Sequence, residues 1–282
     1  MVNKSQRNLL NLAEQAVENE KLDEAVQHLL EALRLGHTTE IVYKLCELFL
    51  KQNKPYKAYT LIKEEPDLFS DKKIYDLYLK ILKDLNFNIE ALELSYLSNQ
   101  KIDLAISPIS EQKQQELMRN FKTLKSVSEN DYLKLYQLSK PNFIQLSQSL
   151  LIDPTLGFAL RLSLCEDLIK LGYDNSVIVS VMGENKTFIP KETMLLQKDP
   201  IYRECCISLA DYLRREPSKL PIMVGELNVC LGMLYPKLHD YISDPDQFTH
   251  DFRRYLESKQ GGVNQKLLNK IYEYLAYEKA IN

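Results

Sequence analysis

Through its first hundred residues, the chain alternates short apolar stripes at helical spacing with turn residues set at regular distances. Leu9, Leu12, Ala13 and Ala16 recur at three- and four-residue steps, as one buried face of a helix requires. Val42, Leu45, Cys46 and Phe49 do the same, and so do Tyr75, Tyr78 and Leu82. Between these stripes stand Asn19 to Lys21, Asn53 to Pro55 and Asn86 to Asn88, while Gly36 and Pro66 to Ser70 fall in the longer gaps. The pattern predicts six helices paired into three hairpins over residues 1–100.

The hairpins are copies of one unit. Ala25, Ala58 and Ala91 recur every 33 residues, in the contexts DEAV, YKAY and IEAL, and each opens a second helix. In the first unit Ala13 and Ala32 supply the small side chains that two closely crossing helices need, without the helix penalty of glycine. The second unit keeps Ala58 and Ile62 but carries Glu65 at a small-residue position. The third keeps Ala91 but carries Leu79, Ser95 and Ser98 where the unit wants other residues. The spacing and the small residues resemble the tetratricopeptide repeat, whose period is 34. The resemblance implies a mainly α chain whose first hundred residues form an α-solenoid, since about three such units bury a continuous core.

Beyond residue 100 the repeat stops. Residues 101–140 are polar and predict linking helices, the clearest from Glu111 to Lys125. Residues 141–282 predict a helical domain. Its first helices are punctuated by Pro141, Pro154 and Gly172, with Asp153 before Pro154 reading as a helix start. Ser176 to Met182 is rich in β-branched residues, Gly183 to Lys186 reads as a turn and Thr187 to Ile189 can pair back, which predicts a short β-hairpin near 176–190. Helices resume over Pro200 to Arg215, Pro221 to Leu234, Asp246 to Ser258 and Gln265 to Ala280, with Gly261 and Gly262 closing the third of these. The segments DPTLGFALRLSLCEDLIKLGYD, FIPKE after the hairpin and SKLPIMVGELNVCLGMLYP resemble an uncharacterised family of tetratricopeptide-containing proteins of Gram-positive bacteria of the Firmicutes type. That resemblance brings no site with it.

Composition narrows the functional classes. Hydrophobic residues make up 45% and charged residues 27% of the 282, the balance of a chain that packs a core. There are 20 basic to 21 acidic residues up to Lys140 and 16 to 18 after it, with no basic stripe, which argues against a nucleic-acid partner. No stretch approaches the ~18 apolar residues of a membrane helix, and the first residues lack a signal-peptide core, so the expected setting is the cytoplasm. Five cysteines without metal or disulfide spacing read as core thiols of a reducing compartment.

No catalytic constellation emerges. His239-Asp240 and His250-Asp251 form two His-Asp pairs, yet a metal-dependent phosphohydrolase needs further ligands that the neighbouring sequence lacks. VMGENKT has Ile178 where a phosphate loop needs glycine, and reads as a turn. Gly225 and Gly232 read as a helix face for close packing, and Cys205 with Cys206 as buried thiols. We expect no catalytic residue, metal or cofactor.

The remaining candidate is a binding groove. In tetratricopeptide arrays the first helices of successive units line a concave surface that holds a peptide or helix of a partner. The aligned positions are Arg7, Leu10, Glu14 and Val17, then Tyr43, Glu47 and Leu50, then Asp76, Lys80 and Lys83. Leu10 and Glu14 stand where a carboxylate clamp would carry Lys and Asn, so a clamp is not expected. The charge runs from Glu14, Glu18 and Glu47 to Lys73, Lys80 and Lys83, which would orient a bound peptide. The expected function is an interaction scaffold or adaptor. A ligand-sensing regulator or metal-dependent hydrolase with its site in the C-terminal half is the second reading.

Overall fold

The computed structural model describes residues 3–99 and 104–281, with no side-chain description for 279–281. It is mainly helical, with a single two-stranded sheet among the described residues. The chain forms two compact units, one of Met1–Ala91, Asp103–Gln114 and Leu133–Ser139, the other of Leu92–Ile102, Gln115–Tyr132 and Lys140–Asn282. No helix among the described residues is long and apolar enough to cross a membrane.

The first unit begins with helices α1 (Lys4–Glu18) and α2 (Leu22–Arg34), α3 (Thr39–Lys51) and α4 (Pro55–Lys63), then α5 (Lys72–Leu85) and the start of α6 (Asn88–Leu97). Local chemistry sets their starts. Asn3 and Gln6 form a capping box, Thr38 accepts from the Ile41 amide and Asp71 from the amides of Lys73 and Ile74. Pro55 opens α4, where its missing N–H costs nothing.

The turn inside each hairpin is the same turn three times. Glu20, Asn53 and Asn86 lie 33 residues apart and take the left-handed conformation, with φ of 59°, 55° and 55°. The following amide returns to the helix each time: Lys21 to the Ala16 carbonyl at 2.8 Å, Lys54 to Phe49 at 2.8 Å and Phe87 to Leu82 at 2.9 Å. This six-to-one bond is the Schellman closure of a helix end, and asparagine tolerates the conformation better than most residues. Five residues after each such turn sits one of the periodic alanines, all buried.

Buried polar side chains stitch the hairpins together. The Gln6 amide donates to the carbonyls of Ala32 at 3.1 Å and Gly36 at 2.7 Å, tying the start of α1 to the end of α2. Glu65 is buried and receives Thr39 Oγ1 at 3.1 Å, with His37 Nε2 at 2.9 Å, which explains a carboxylate at a small-residue position. Glu90, 4% exposed, accepts from Tyr59 at 2.7 Å, Lys63 at 2.7 Å and Tyr78 at 2.5 Å, joining α4, α5 and α6. Residues 133–139 complete this unit: Asn88 donates to the Leu138 carbonyl and Gln137 to that of Leu85, both at 2.9 Å.

Residues 101–140 are shared between the units rather than forming one link; Lys101, Ile102 and Asp103 lie outside the described residues. The linking helix α7 (Glu111–Lys122) ends three residues before the expected Lys125, and α8 (Glu129–Lys134) follows.

The second unit contains α9 (Lys140–Leu151), α10 (Phe158–Lys170), α11 (Pro200–Tyr212), α12 (Leu220–Leu234), α13 (Pro245–Ser258) and α14 (Gln265–Ile281). Strands β1 (Val177–Val181) and β2 (Glu184–Phe188) pair antiparallel, with Val181 opposite Glu184. The turn is therefore Met182-Gly183, two residues with φ of 47° and 76°, tighter than the expected Gly183 to Lys186. Val177, Val179 and Val181 are buried, which anchors a hairpin that would be marginal alone. Arg161, on α10, is buried and donates to the carbonyls of Ser180, Gly232 and Met233, joining β1 and α12; burial pulls its guanidinium below the ordinary arginine value.

Three further local expectations differ from the structure. Asp153 does not start a helix; its carboxylate accepts from the Thr155 amide at 2.8 Å and hydroxyl at 2.7 Å, a turn complete in itself, and α10 begins at Phe158. The third C-terminal helix closes on Lys259, in the left-handed conformation, before Gly261 is reached. Of the two glycines expected to allow close packing, Gly232 faces the Phe158 ring, which an added Cβ would approach to 3.2 Å, whereas a Cβ at Gly225 would meet open space.

Candidate groove of the first unit

The groove lies between α1 and α3. Ala13, Leu29 and Leu48 form an apolar floor, Val17 continues it, and Glu14, Glu18, Glu47, Lys44 and Lys51 form the charged rim around about 320 Å³. The floor exists because two alanine turns of α1 keep its backbone close to α2, leaving α3 to shape the other wall.

Across the rim, Lys44 donates to Glu14 at 2.5 Å and lies 3.5 Å from Glu40 one helical turn away. Burial alone would lower the Lys44 ammonium, but the bond to Glu14 and the charges of Glu14 and Glu40 hold it above the ordinary lysine value. Tyr43 donates to Glu47 at 3.2 Å; partial burial first, then the Glu47 charge, raises its phenol. Glu18 and Lys51 make no hydrogen bond or ion pair across the rim among the described residues and stay open to a ligand's charges.

Of the positions expected to face a partner, Glu14, Val17 and Glu47 line this groove. Tyr43 adjoins it through Glu47. Leu50 is half-buried, and Arg7, Asp76, Lys80 and Lys83 are exposed away from the groove lining. Leu10 is corrected outright: at 6% exposure it belongs to the buried stripe Gln6, Leu10, Ala13, Ala16 of α1. Leu12, read as core, is 45% exposed instead. One residue of helix is a rotation of about 100°, so neighbouring stripes containing Leu9 or Leu10 differ only by which face meets α2. Sequence reasoning missed Lys44 and Lys51, although their seven-residue spacing on α3, with Glu40 one turn before Lys44, was visible.

The groups weighed for chemistry lie elsewhere. His239 Nε2 is 3.7 Å from Asp199, which caps α11 by accepting from the Ile201 amide at 2.9 Å. Asp251 is buried and receives Asn264 through its amide at 3.1 Å and side chain at 2.9 Å, and Gln247 at 2.9 Å, with His250 at 3.4 Å. Its carboxylate is a structural acceptor between α13 and the approach to α14. No group of three His, Cys, Asp or Glu among the described residues is placed to hold a metal. Cys46, Cys165, Cys205 and Cys230 are buried thiols and Cys206 is partly so.

No protein-family model, curated protein or solved structure matches this chain.

Proposed function

We propose that this chain is a protein-interaction scaffold whose first three hairpins stack as tetratricopeptide-like units and whose α1–α3 groove holds an extended peptide or helix of a partner protein. The recurrence of one turn geometry every 33 residues supports the repeat reading. The groove itself carries the functional reading, because an apolar floor ringed by carboxylates and lysines suits a short segment with one apolar anchor and flanking charges. Such a segment gains affinity from the floor and register from the rim. The free thiols fit a reducing compartment such as the cytoplasm.

The test is affinity capture with the full chain and with a Glu14→Lys, Glu47→Lys variant, followed by mass spectrometry of the bound proteins. Both substitutions lie on the rim, so the helical circular dichroism and melting temperature are expected to hold while specific partners are lost. An unchanged set of captured proteins with a folded variant would overturn the groove assignment.

A further inference from the structure

A second groove lies within the other unit. It is formed by the end of α7 with the stretch after it, and by the turn that joins α9 to α10, around about 410 Å³. Of its apolar lining, Phe121 is buried, Leu150, Leu156 and Leu160 are half-buried and Leu124 is 40% exposed. Leucines left half-covered present carbon surface that a second chain would remove from water. Helix α7 stops at Lys122, and the chain runs irregularly from Thr123 to Ser128 before α8 begins. Along that stretch the amides of Lys125, Ser126 and Val127 make no hydrogen bond among the described residues.

The charge here is basic. Lys122 and Lys125 are exposed in the lining and have no ion pair among the described residues. Arg119, three residues before Lys122, donates to the Gln115 carbonyl at 3.3 Å rather than to a carboxylate. Asp153 is the one carboxylate of the lining, and it already accepts from the Thr155 amide at 2.8 Å and hydroxyl at 2.7 Å. Glu278 reaches the start of α10 but accepts from the Phe158 amide at 3.2 Å and is not part of the lining. Two lysines are therefore left without a counter-charge beside an apolar surface.

We propose that this groove holds an acidic, apolar segment of a partner protein, with its apolar side chains against the leucines and its carboxylates at Lys122 and Lys125. Contact with the leucines supplies the affinity and the lysines the register. A fatty acid shares the pairing of negative charge with carbon, but it does not match the rest of the lining. Lys125, Ser126 and Val127 offer unpaired main-chain amides, and Ser126 a hydroxyl, which the carbonyls of a polypeptide satisfy and an acyl chain does not. The two grooves then choose different partners, because carboxylates predominate on the rim of the first and lysines in the lining of the second.

The experiment selects peptides on the immobilised full chain from a phage-displayed library of random twelve-residue sequences, then measures the enriched peptides by fluorescence anisotropy. An enriched family pairing Asp or Glu with Leu, Ile or Phe is expected. Lys122→Glu with Lys125→Glu should weaken its binding roughly tenfold, since two exposed ion pairs become repulsions. Leu124→Ser should weaken it as well, and melting should hold in both variants because all three side chains are exposed. Replacing the acids of the peptide with amides should weaken it similarly, while the Glu14→Lys, Glu47→Lys variant should bind it as the parent does. Absence of such a family, indifference of a folded lysine variant, or displacement of the peptide by equimolar oleate would each overturn the proposal. Loss of the acidic family's binding in the Glu14→Lys, Glu47→Lys variant would overturn it equally, by moving the peptide to the first groove.

Discussion

Removing the Glu90 carboxylate should do more damage to the first unit than any surface substitution on it. Glu90→Ala takes away the shared acceptor of Tyr59, Tyr78 and Lys63, on α4 and α5, from a site that is 4% exposed. Hydrogen bonds to a charged acceptor contribute about 1.5 to 3 kcal/mol each, but three on one group are not additive. The lysine is 40% exposed, so its ion pair counts for little after solvent screening. The two tyrosine bonds therefore set the scale, and a loss of about 2 to 4 kcal/mol is expected, two bonds to a charged acceptor that add incompletely. Urea unfolding followed by far-ultraviolet circular dichroism measures it, with Tyr78→Phe and the double variant completing a cycle. The cycle should show a coupling of at least about 1 kcal/mol, because a phenol with no carboxylate to meet has little left to lose. A loss under about 1 kcal/mol for Glu90→Ala, or additive single variants, would refute the clamp.

Gly183→Ala should destabilise the second unit by about 1 to 2 kcal/mol, since φ of 76° is costly for any residue with a Cβ and the Tyr274 hydroxyl must move; an unchanged melting temperature would contradict the turn geometry. Thiol titration of the native chain with a disulfide reagent near pH 8 should release about one equivalent quickly, lost in Cys206→Ala, because burial raises the thiols of Cys46 and Cys205 to about 12 and Cys165 and Cys230 higher still. Asp251→Asn should cost about 1 to 3 kcal/mol at neutral pH. Burial alone would raise this carboxyl, but the bonds from Asn264, His250 and Gln247 outweigh it and hold it below the ordinary aspartate value. Its contribution is therefore complete above about pH 4 and disappears as the pH falls through the depressed value, so variant and parent should converge in acid urea titrations.

The hairpins were legible because their signals are local. A small residue five positions after a left-handed turn marks each unit, and Asn53 and Asn86 are residues that tolerate that turn. The facing of α1 was not legible to the same degree, since stripes through Leu9 and Leu10 both fit a helical period and only the packing of α2 chooses between them. The places of Glu14, Val17 and Glu47 are legible from the 33-residue spacing, whereas Lys44 lines the groove beside Glu14, its ion-pair partner 30 residues away. Glu65 and Glu90 look like surface residues in sequence; their burial depends on donors distant in sequence, His37 and Thr39 for Glu65 and Tyr59, Lys63 and Tyr78 for Glu90. Met182 at positive φ could not be foreseen, because methionine seldom takes that conformation and the two-residue loop dictates it.

Asn88 and Leu85 take their partners from Leu138 and Gln137, about fifty residues further along the chain. A true array can be shortened from an end, one unit at a time, because each unit depends only on its neighbours. This chain cannot. A fragment stopped after residue 100 leaves the third hairpin with a buried amide and a carbonyl whose partners have been discarded, and one begun at residue 141 omits 115–132 from the second unit. Insertions, deletions and fusions that respect the 33-residue spacing are therefore expected to lose stability unless they also keep the stretch up to Ser139, so the hairpins and the sequence that follows them change together.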